Sequence, residues 1–212
     1  MTESCFGILL AGGRAQRMGG GDKSLRLIGG ASILERVIAK MALQCAGLVL
    51  NANGDPAKFE AFHLPIVADD LPGFKGPLAG ILAGLDWVAE RRSDLAFAVS
   101  APTDTPFLPD DLVARLQAAR EENSADIACA ASGGGTHPVV ALWPVSIRTD
   151  LRRALVDEDL RKVDRFAQRY KIAYAEWPTE PFDPFFNANA PADLAAAETI
   201  VAGQEKTRHI GL

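Results

Sequence analysis

Residues 5–23 read CFGILLAGGRAQRMGGGDK, an apolar run from Cys5 to Leu10 that opens directly onto a loop rich in glycine and positive charge. Between Leu9 and Lys23 lie five glycines and three cations, Arg14, Arg17 and Lys23. A short apolar run bounded by turn residues reads as a buried strand. Glycine in a structured loop serves a positive φ or lets a ligand approach the backbone closely. Backbone N–H groups ringed by cations suit an anion, and phosphate is the first candidate.

Outward from this stretch the same alternation repeats. GLVLNAN, LAFAVS and DIACAA are short and apolar, whereas SILERVIAKMALQC, PLAGILAGLDWVAERR and PDDLVARLQAAREE are longer and amphipathic. Strand–helix alternation builds an α/β fold: a mostly parallel central sheet flanked by helices in three layers. Ile33, Val37, Ile38 and Met41, like Leu112, Leu116 and Ala119, recur at the spacing of one buried helical stripe. Ser32 and Asp110 stand where N-caps belong, and Glu35 completes a capping box with Ser32. After residue 131, SGGGTHPVVALWP reads as a glycine-rich turn into a strand, PVSIRTDLRRALVDED and DLRKVDRFAQRY as two helices, and KIAYAEW as a further strand. APADLAAAETIVAG is a closing helix introduced by Pro191, and residues 203–212 form a polar tail expected to fray. No internal repeat interrupts the pattern, so the second half is expected to extend the same sheet.

With 212 residues, 48% of them hydrophobic, one well-buried domain spanning 1–212 is expected. Lys plus Arg is 22 and Asp plus Glu is 27, a net charge of −5, with no long basic block. Extended nucleic acid, bound through many phosphate contacts, is therefore excluded as a partner. The opening segment runs against the balance, since Arg14, Arg17, Lys23 and Arg26 are answered only by Asp22. A positive island in an acidic chain points to a small anionic ligand. Cys5, Cys45 and Cys129 are widely spaced and form no CxxC pair, which indicates neither a disulfide framework nor a zinc site. A reduced, cytoplasmic protein without a membrane segment is the expectation.

Open parallel sheets take ligands beyond the carboxyl ends of their strands, so the residues after each strand carry the chemistry. The first loop misses the dinucleotide spacing GxGxxG. It also misses GxxxxGK[ST], because Asp22 separates Gly21 from Lys23. What it offers is Gly12-Gly13, Arg17-Met18-Gly19 and Asp22-Lys23, whose amides can surround a polyphosphate while Arg17 and Lys23 neutralise charge. Asn51 to Asn53 follow the second strand and suit either a nucleobase or ribose edge or an ordinary turn. Asp69 and Asp70 follow the third and suit a metal, a ribose hydroxyl or a loop cap. Asp104, between two threonines and two prolines after LAFAVS, is a carboxylate costly to place there without purpose and a reasonable Mg²⁺ ligand. His137 reads as a structural turn residue or a substrate contact. Asn187 and Asn189 read as helix caps or as contacts to a second substrate or the metal.

Taken together, these segments resemble the molybdenum cofactor guanylyltransferases, the MobA-type branch of the nucleotidyltransferases with a Rossmann-like fold. LAGGRAQRMGGGDK is similar to that family's signature loop. NAN, ADDLPGFKGPLAGI, PTDTPFLPDDL, HPVVAL and FFNANAPADL match further family segments in the same order, over roughly residues 6 to 198. The resemblance implies transfer of GMP from GTP to molybdenum-bearing molybdopterin, with release of pyrophosphate. It implies GTP contacts from Leu10, Ala11, Gly12, Gly13, Lys23, Asn51, Asp69 and Asp104, with Asp104 holding Mg²⁺ and Arg17, Lys23 and Asp104 as the catalytic set. Asn187 and Asn189 would lie on the molybdopterin side, so that about 1–110 is the GTP-binding part and about 125–200 the acceptor part. Transient contact with proteins of cofactor synthesis or insertion is implied as well. The alternatives are a cytidylyltransferase for the same cofactor, a sugar-phosphate nucleotidyltransferase, or a non-catalytic nucleotide-binding protein. Gly13 favours the guanylyl branch, since the cytidylyl relatives tend to read AAG where this chain has AGG.

Overall fold

The computed structural model describes residues 3–11, 23–73 and 76–210, and side chains as far as residue 204. Strand β1 (Cys5–Leu10) is followed by a short hairpin, β2 (Leu27–Ile28) and β3 (Ala31–Ser32), then α1 (Ile33–Ala42), β4 (Leu48–Asn51), β5 (Ile66–Val67) and α2 (Pro77–Arg91). The chain continues through β6 (Phe97–Pro102), α3 (Leu112–Glu122), β7 (Ile127–Ser132), β8 (Gly135–Pro144), α4 (Arg148–Val156), α5 (Val163–Ala167), β9 (Ile172–Trp177) and α6 (Pro191–Ile210).

Seven strands form one sheet in the order β5-β4-β1-β6-β8-β7-β9. All run parallel except β8, which is antiparallel to both neighbours. The reversal comes from Gly133 and Gly134, whose φ angles of 54° and 76° make the left-handed two-residue turn that joins β7 to β8 as a hairpin. β1 is buried at every position, as a parallel strand covered on both faces should be. Its side chains alternate between two cores, Cys5 and Leu9 in one, Ile8 and Leu10 in the other. α1 and α3 cover the first face; α2, α4 and α5 cover the second.

The helix that covers the centre of the sheet comes unusually close. A Cβ on Gly84 of α2 would lie 2.4 Å from Ile8 Cγ2, and one on Gly80 would lie 2.2 Å from Asn51 Oδ1. Glycine at these two places costs helix propensity and gains contact with β1 and β4. α1 begins as its sequence indicates: Ser32 Oγ accepts from Glu35 N at 3.1 Å, while Glu35 Oε2 accepts from Ser32 N at 2.6 Å. α3 does not. Its N-cap is Asp111 rather than Asp110, and no side chain caps it. Tertiary partners claim both carboxylates, because Asp110 pairs with Lys40 at 2.6 Å and Asp111 accepts from Trp177 Nε1 at 2.9 Å.

A third, smaller core gathers Ile28, Ile33, Phe107, Ala188, Ala197 and Val201 beside the sheet. It packs the β2–β3 hairpin against α6, and Glu198 accepts from Gly29 N at 3.0 Å. α6 stays helical to Ile210, through most of the stretch read as a frayed tail. No helix among the described residues is long and apolar enough to cross a membrane.

Gly84→Ala sets a packing cost of about 1–3 kcal/mol for overfilling a core against the roughly 1 kcal/mol by which alanine improves a helix. With Ile8 fully buried beneath it, packing is expected to win, giving a lower urea midpoint at unchanged m-value.

Candidate active site

The chain leaves β1 for α1 and β4 on one side and reaches β6 on the other, so the topological switch point lies between β1 and β6. Ligands of open α/β sheets bind beyond the strand ends at such a point. Three strand exits are tied together there. Leu10 O accepts from both Thr103 N and Thr103 Oγ1 at 3.2 Å, and Ala11 N donates to Asn51 O at 2.9 Å. The Leu10 carbonyl and the Ala11 amide are thus committed within the protein. Gly12, Gly13 and Arg17 lie outside the described residues.

On the β4 side, Asn51 is 2% exposed. Its amide donates to Val67 O at 3.2 Å and to Asp69 Oδ1 at 2.9 Å. Asn53 locks the same aspartate from outside, donating to Asp69 Oδ2 at 2.8 Å and accepting from Asp69 N at 2.9 Å. Each oxygen of Asp69 therefore has an amide partner, and Asp70 is paired with Arg152 at 2.7 Å. Of the readings open for Asp69 and Asp70, the structure shows the two carboxylates turned to different partners. Both tie the loop down, with Arg152 also reaching Asp86 at 2.7 Å and so joining this loop to α2 and α4.

On the β6 side, Lys23, Asp104, Asn187 and Asn189 come together from three parts of the chain. Lys23 Nζ donates to Asn189 Oδ1 at 3.3 Å, Ala188 N to Asp104 O at 2.9 Å, and Thr105 Oγ1 to Asn187 Oδ1 at 2.9 Å. Thr103 and Thr105 are buried on either side of Asp104. The Asp104 carboxyl has no salt-bridge partner among the described residues. Burial pushes its pKa above the ordinary value, opposed by its own backbone N–H and by the charge of Lys23. No group of three or more His, Cys, Asp or Glu side chains able to hold a metal occurs among the described residues. A single carboxylate can still hold Mg²⁺ when phosphate oxygens complete the shell.

His137 is half-buried rather than a bare turn residue. Its Nε2 lies 2.7 Å from Ser132 Oγ and its ring lies 4.6 Å from that of Phe185. Burial lowers its pKa, with Asp183 pulling the other way. Thr105, Ser132 and Asp183 escape a sequence reading, since only the fold brings them to the strand ends.

Known proteins resemble this chain in sequence and in fold. The model of the MobA-like NTP transferase domain matches residues 7–177. A protein of Rhodopseudomonas palustris (strain HaA2) called molybdenum cofactor guanylyltransferase is 63% identical over 191 residues, covering 90% of this chain and 89% of the relative. One of the same name from Bradyrhizobium sp. (strain ORS 278) is 60% identical over 205 residues, covering 97% of each. Among solved structures, molybdopterin-guanine dinucleotide biosynthesis protein A from Archaeoglobus fulgidus superposes with a TM-score of 0.70 at 25% identity, covering 93% of this chain and 99% of that one. A 2-C-methyl-D-erythritol 4-phosphate cytidylyltransferase from Thermus thermophilus shares the fold at 18% identity and a TM-score of 0.66, covering 94% of this chain and 99% of that one.

Because the folded pKa of Asp104 is raised, the native state holds that proton more tightly than the unfolded chain does. This contribution to stability is full below the ordinary value of 3.8 and is lost as pH rises through the folded pKa. Asp104→Asn should therefore raise Tm at pH 7 and leave it unchanged near pH 3. A Tm at pH 7 equal to or below that of the wild type would contradict the burial of an incompletely compensated carboxylate.

Proposed function

Since this chain belongs to the MobA-like NTP transferase family, we propose that it transfers GMP from GTP to molybdenum-bearing molybdopterin, releasing pyrophosphate. The observation that carries the reading is the meeting of Lys23, Asp104, Asn187 and Asn189 at the switch point of the sheet. The names of relatives at 60% identity and above supply the base and the acceptor, and Gly13 agrees with the guanylyl branch. The single sheet running from β5 to β9 supports one nucleotidyltransferase domain over 1–212, with the GTP part at about 1–110 and the molybdopterin part at about 125–200.

The acceptor is a phosphate monoester already ionised near neutral pH, so the reaction needs no general base. In-line attack at the α-phosphorus asks for alignment and for neutralisation of charge on the phosphates. Lys23 supplies a cation beside the Asn187–Asn189 segment, and Arg17 is assigned the same task on the loop. Leu10, Ala11, Gly12 and Gly13 are assigned to the nucleotide through their backbone. Asn51 and Asp69, cross-linked by their hydrogen bond, shape the nucleotide side. Asn187 and Asn189 face the acceptor. The carboxylate of Asp104, largely buried and without an ion-pair partner among the described residues, fits a divalent cation. We assign Mg²⁺ there: Asp104 would hold it, and the ion would supply neutralisation of charge on the phosphate oxygens. GTP and molybdopterin are small-molecule substrates; contact with cofactor-synthesis or insertion proteins and a cytoplasmic location complete the proposal.

The test is pyrophosphate release from the purified protein with Mg²⁺, molybdenum-bearing molybdopterin and either GTP or CTP. Release with GTP and little with CTP is expected, and no release with GTP defeats the reading. Lys23→Ala and Asp104→Ala should each lower kcat at least about a hundredfold, the usual scale for removing a charge-stabilising group, with circular dichroism unchanged. Wild-type turnover in either variant removes that residue from the catalytic set.

A further inference from the structure

The segment from Asp183 to Asn189 carries both acceptor-side asparagines, and how it is held is visible only in the fold. Its downstream end is fixed by Asp193, whose Oδ2 accepts from Asn189 N at 2.9 Å and Ala190 N at 2.6 Å. Its upstream end is fixed by Asp183, which accepts from Phe185 N at 2.9 Å and from Ser132 Oγ at 2.9 Å. Ser132 is the last residue of β7 and only 4% exposed. β7 runs parallel to β6, so Ser132 emerges at the same sheet edge as Asp104.

The proton positions in this trio follow from counting. A hydroxyl has one proton, and a carboxylate oxygen accepts, so the Ser132 proton goes to Asp183. Ser132 Oγ must then be the acceptor toward His137, which places a proton on Nε2 at 2.7 Å. His137 thus holds the hydroxyl in the rotamer that reaches Asp183. Phe185, 3% exposed, is seated between the rings of His137 at 4.6 Å and Trp177 at 5.3 Å. Polar tie and aromatic seat act on the same turn.

We propose that Ser132 and Asp183, buttressed by His137, are positioning residues for the acceptor: they clamp the upstream end of the 183–189 segment so that Asn187 and Asn189 stand against Asp104 and Lys23. Without the clamp the upstream turn loses its polar tie to β7 and keeps only the aromatic seat of Phe185, so the two asparagines are set less firmly at their distance from the nucleotide side. The nucleotide wall on β1, β4 and β5 shares no member with the trio. The consequence is a selective loss on the acceptor side. This inference rests on the proposed function, and the wild-type protein in the same assay separates the two. Absence of wild-type transfer overturns the function, whereas the variants below test only the clamp.

The experiment measures the KM for molybdenum-bearing molybdopterin, and separately the dissociation constant for GTP without acceptor, in Ser132→Ala, Asp183→Ala and Asp183→Asn. Loss of the Ser132–Asp183 hydrogen bond, which both alanine variants share beside one further bond each, predicts an acceptor KM raised at least about tenfold in Ser132→Ala and Asp183→Ala, with GTP affinity within about twofold of wild type. Asp183→Asn keeps an oxygen acceptor for both Ser132 and Phe185 and should restore an acceptor KM near that of wild type. An unchanged acceptor KM in the two alanine variants overturns the proposal. So does a parallel loss of GTP affinity, which would mark a general structural role. If Ser132→Ala fails to fold, the Asp183→Ala and Asp183→Asn pair decides by the same criteria.

Discussion

The carbonyl of Leu10 is where the site begins. It stands at the end of the central strand, accepts two hydrogen bonds from Thr103, and so binds the exit of β1 to the exit of β6. One residue later, Ala11 N ties the same exit to Asn51 on β4. Only after these bonds does the chain enter its glycine-rich loop. The exits of the three strands thereby fix the point from which that stretch of sequence starts. The close seating of α2 supports the same point from below, with Gly80 against Asn51 and Gly84 against Ile8.

A second constraint is electrical. Asp104 sits where burial opposes its charge and where Lys23 only partly relieves it. By contrast, Asp69 is bound by two amides and Asp70 by a guanidinium. A fold selected for stability alone would pair Asp104 in the same manner. A buried strand-end carboxylate with no salt bridge among the described residues marks a candidate functional group. The site thus separates into two halves about β1: a wall of satisfied hydrogen bonds on the β4 side, and a less compensated half where Lys23 from the start of the chain meets Asn189 from near its end.

Much of this architecture was legible along the chain, for physical reasons that differ by element. CFGILL reads as a strand because its burial on both faces leaves no polar position. α1 reads correctly to its first residue because the capping box is a local hydrogen-bond pair between Ser32 and Glu35. The analogous reading of Asp110 failed because Lys40 and Trp177, distant in sequence, outbid the local cap for the two aspartates. The β2–β3 hairpin left no clear periodic signal, being two residues per strand and stabilised by packing on α6. The direction of β8 depended on Gly133 and Gly134 making a two-residue turn, which the glycines suggested and the pairing completed.

The site divides in the same manner. From sequence alone came the ligand class and most of the candidate residues, because glycines, cations and a strand-end aspartate are chosen for chemistry that acts over a few neighbouring positions. The order of six family-like segments narrowed this to one branch of nucleotidyltransferases. What only the tertiary structure decided is which of those residues are free to meet a ligand and which are spent holding others. The amide of Asn51 is committed to Val67 and Asp69, and the Leu10 carbonyl to Thr103. Ser132, His137 and Asp183 form one network across 51 residues of chain. Hydrogen bonds of this kind form between strand exits that the parallel sheet places side by side, and no local pattern encodes that adjacency.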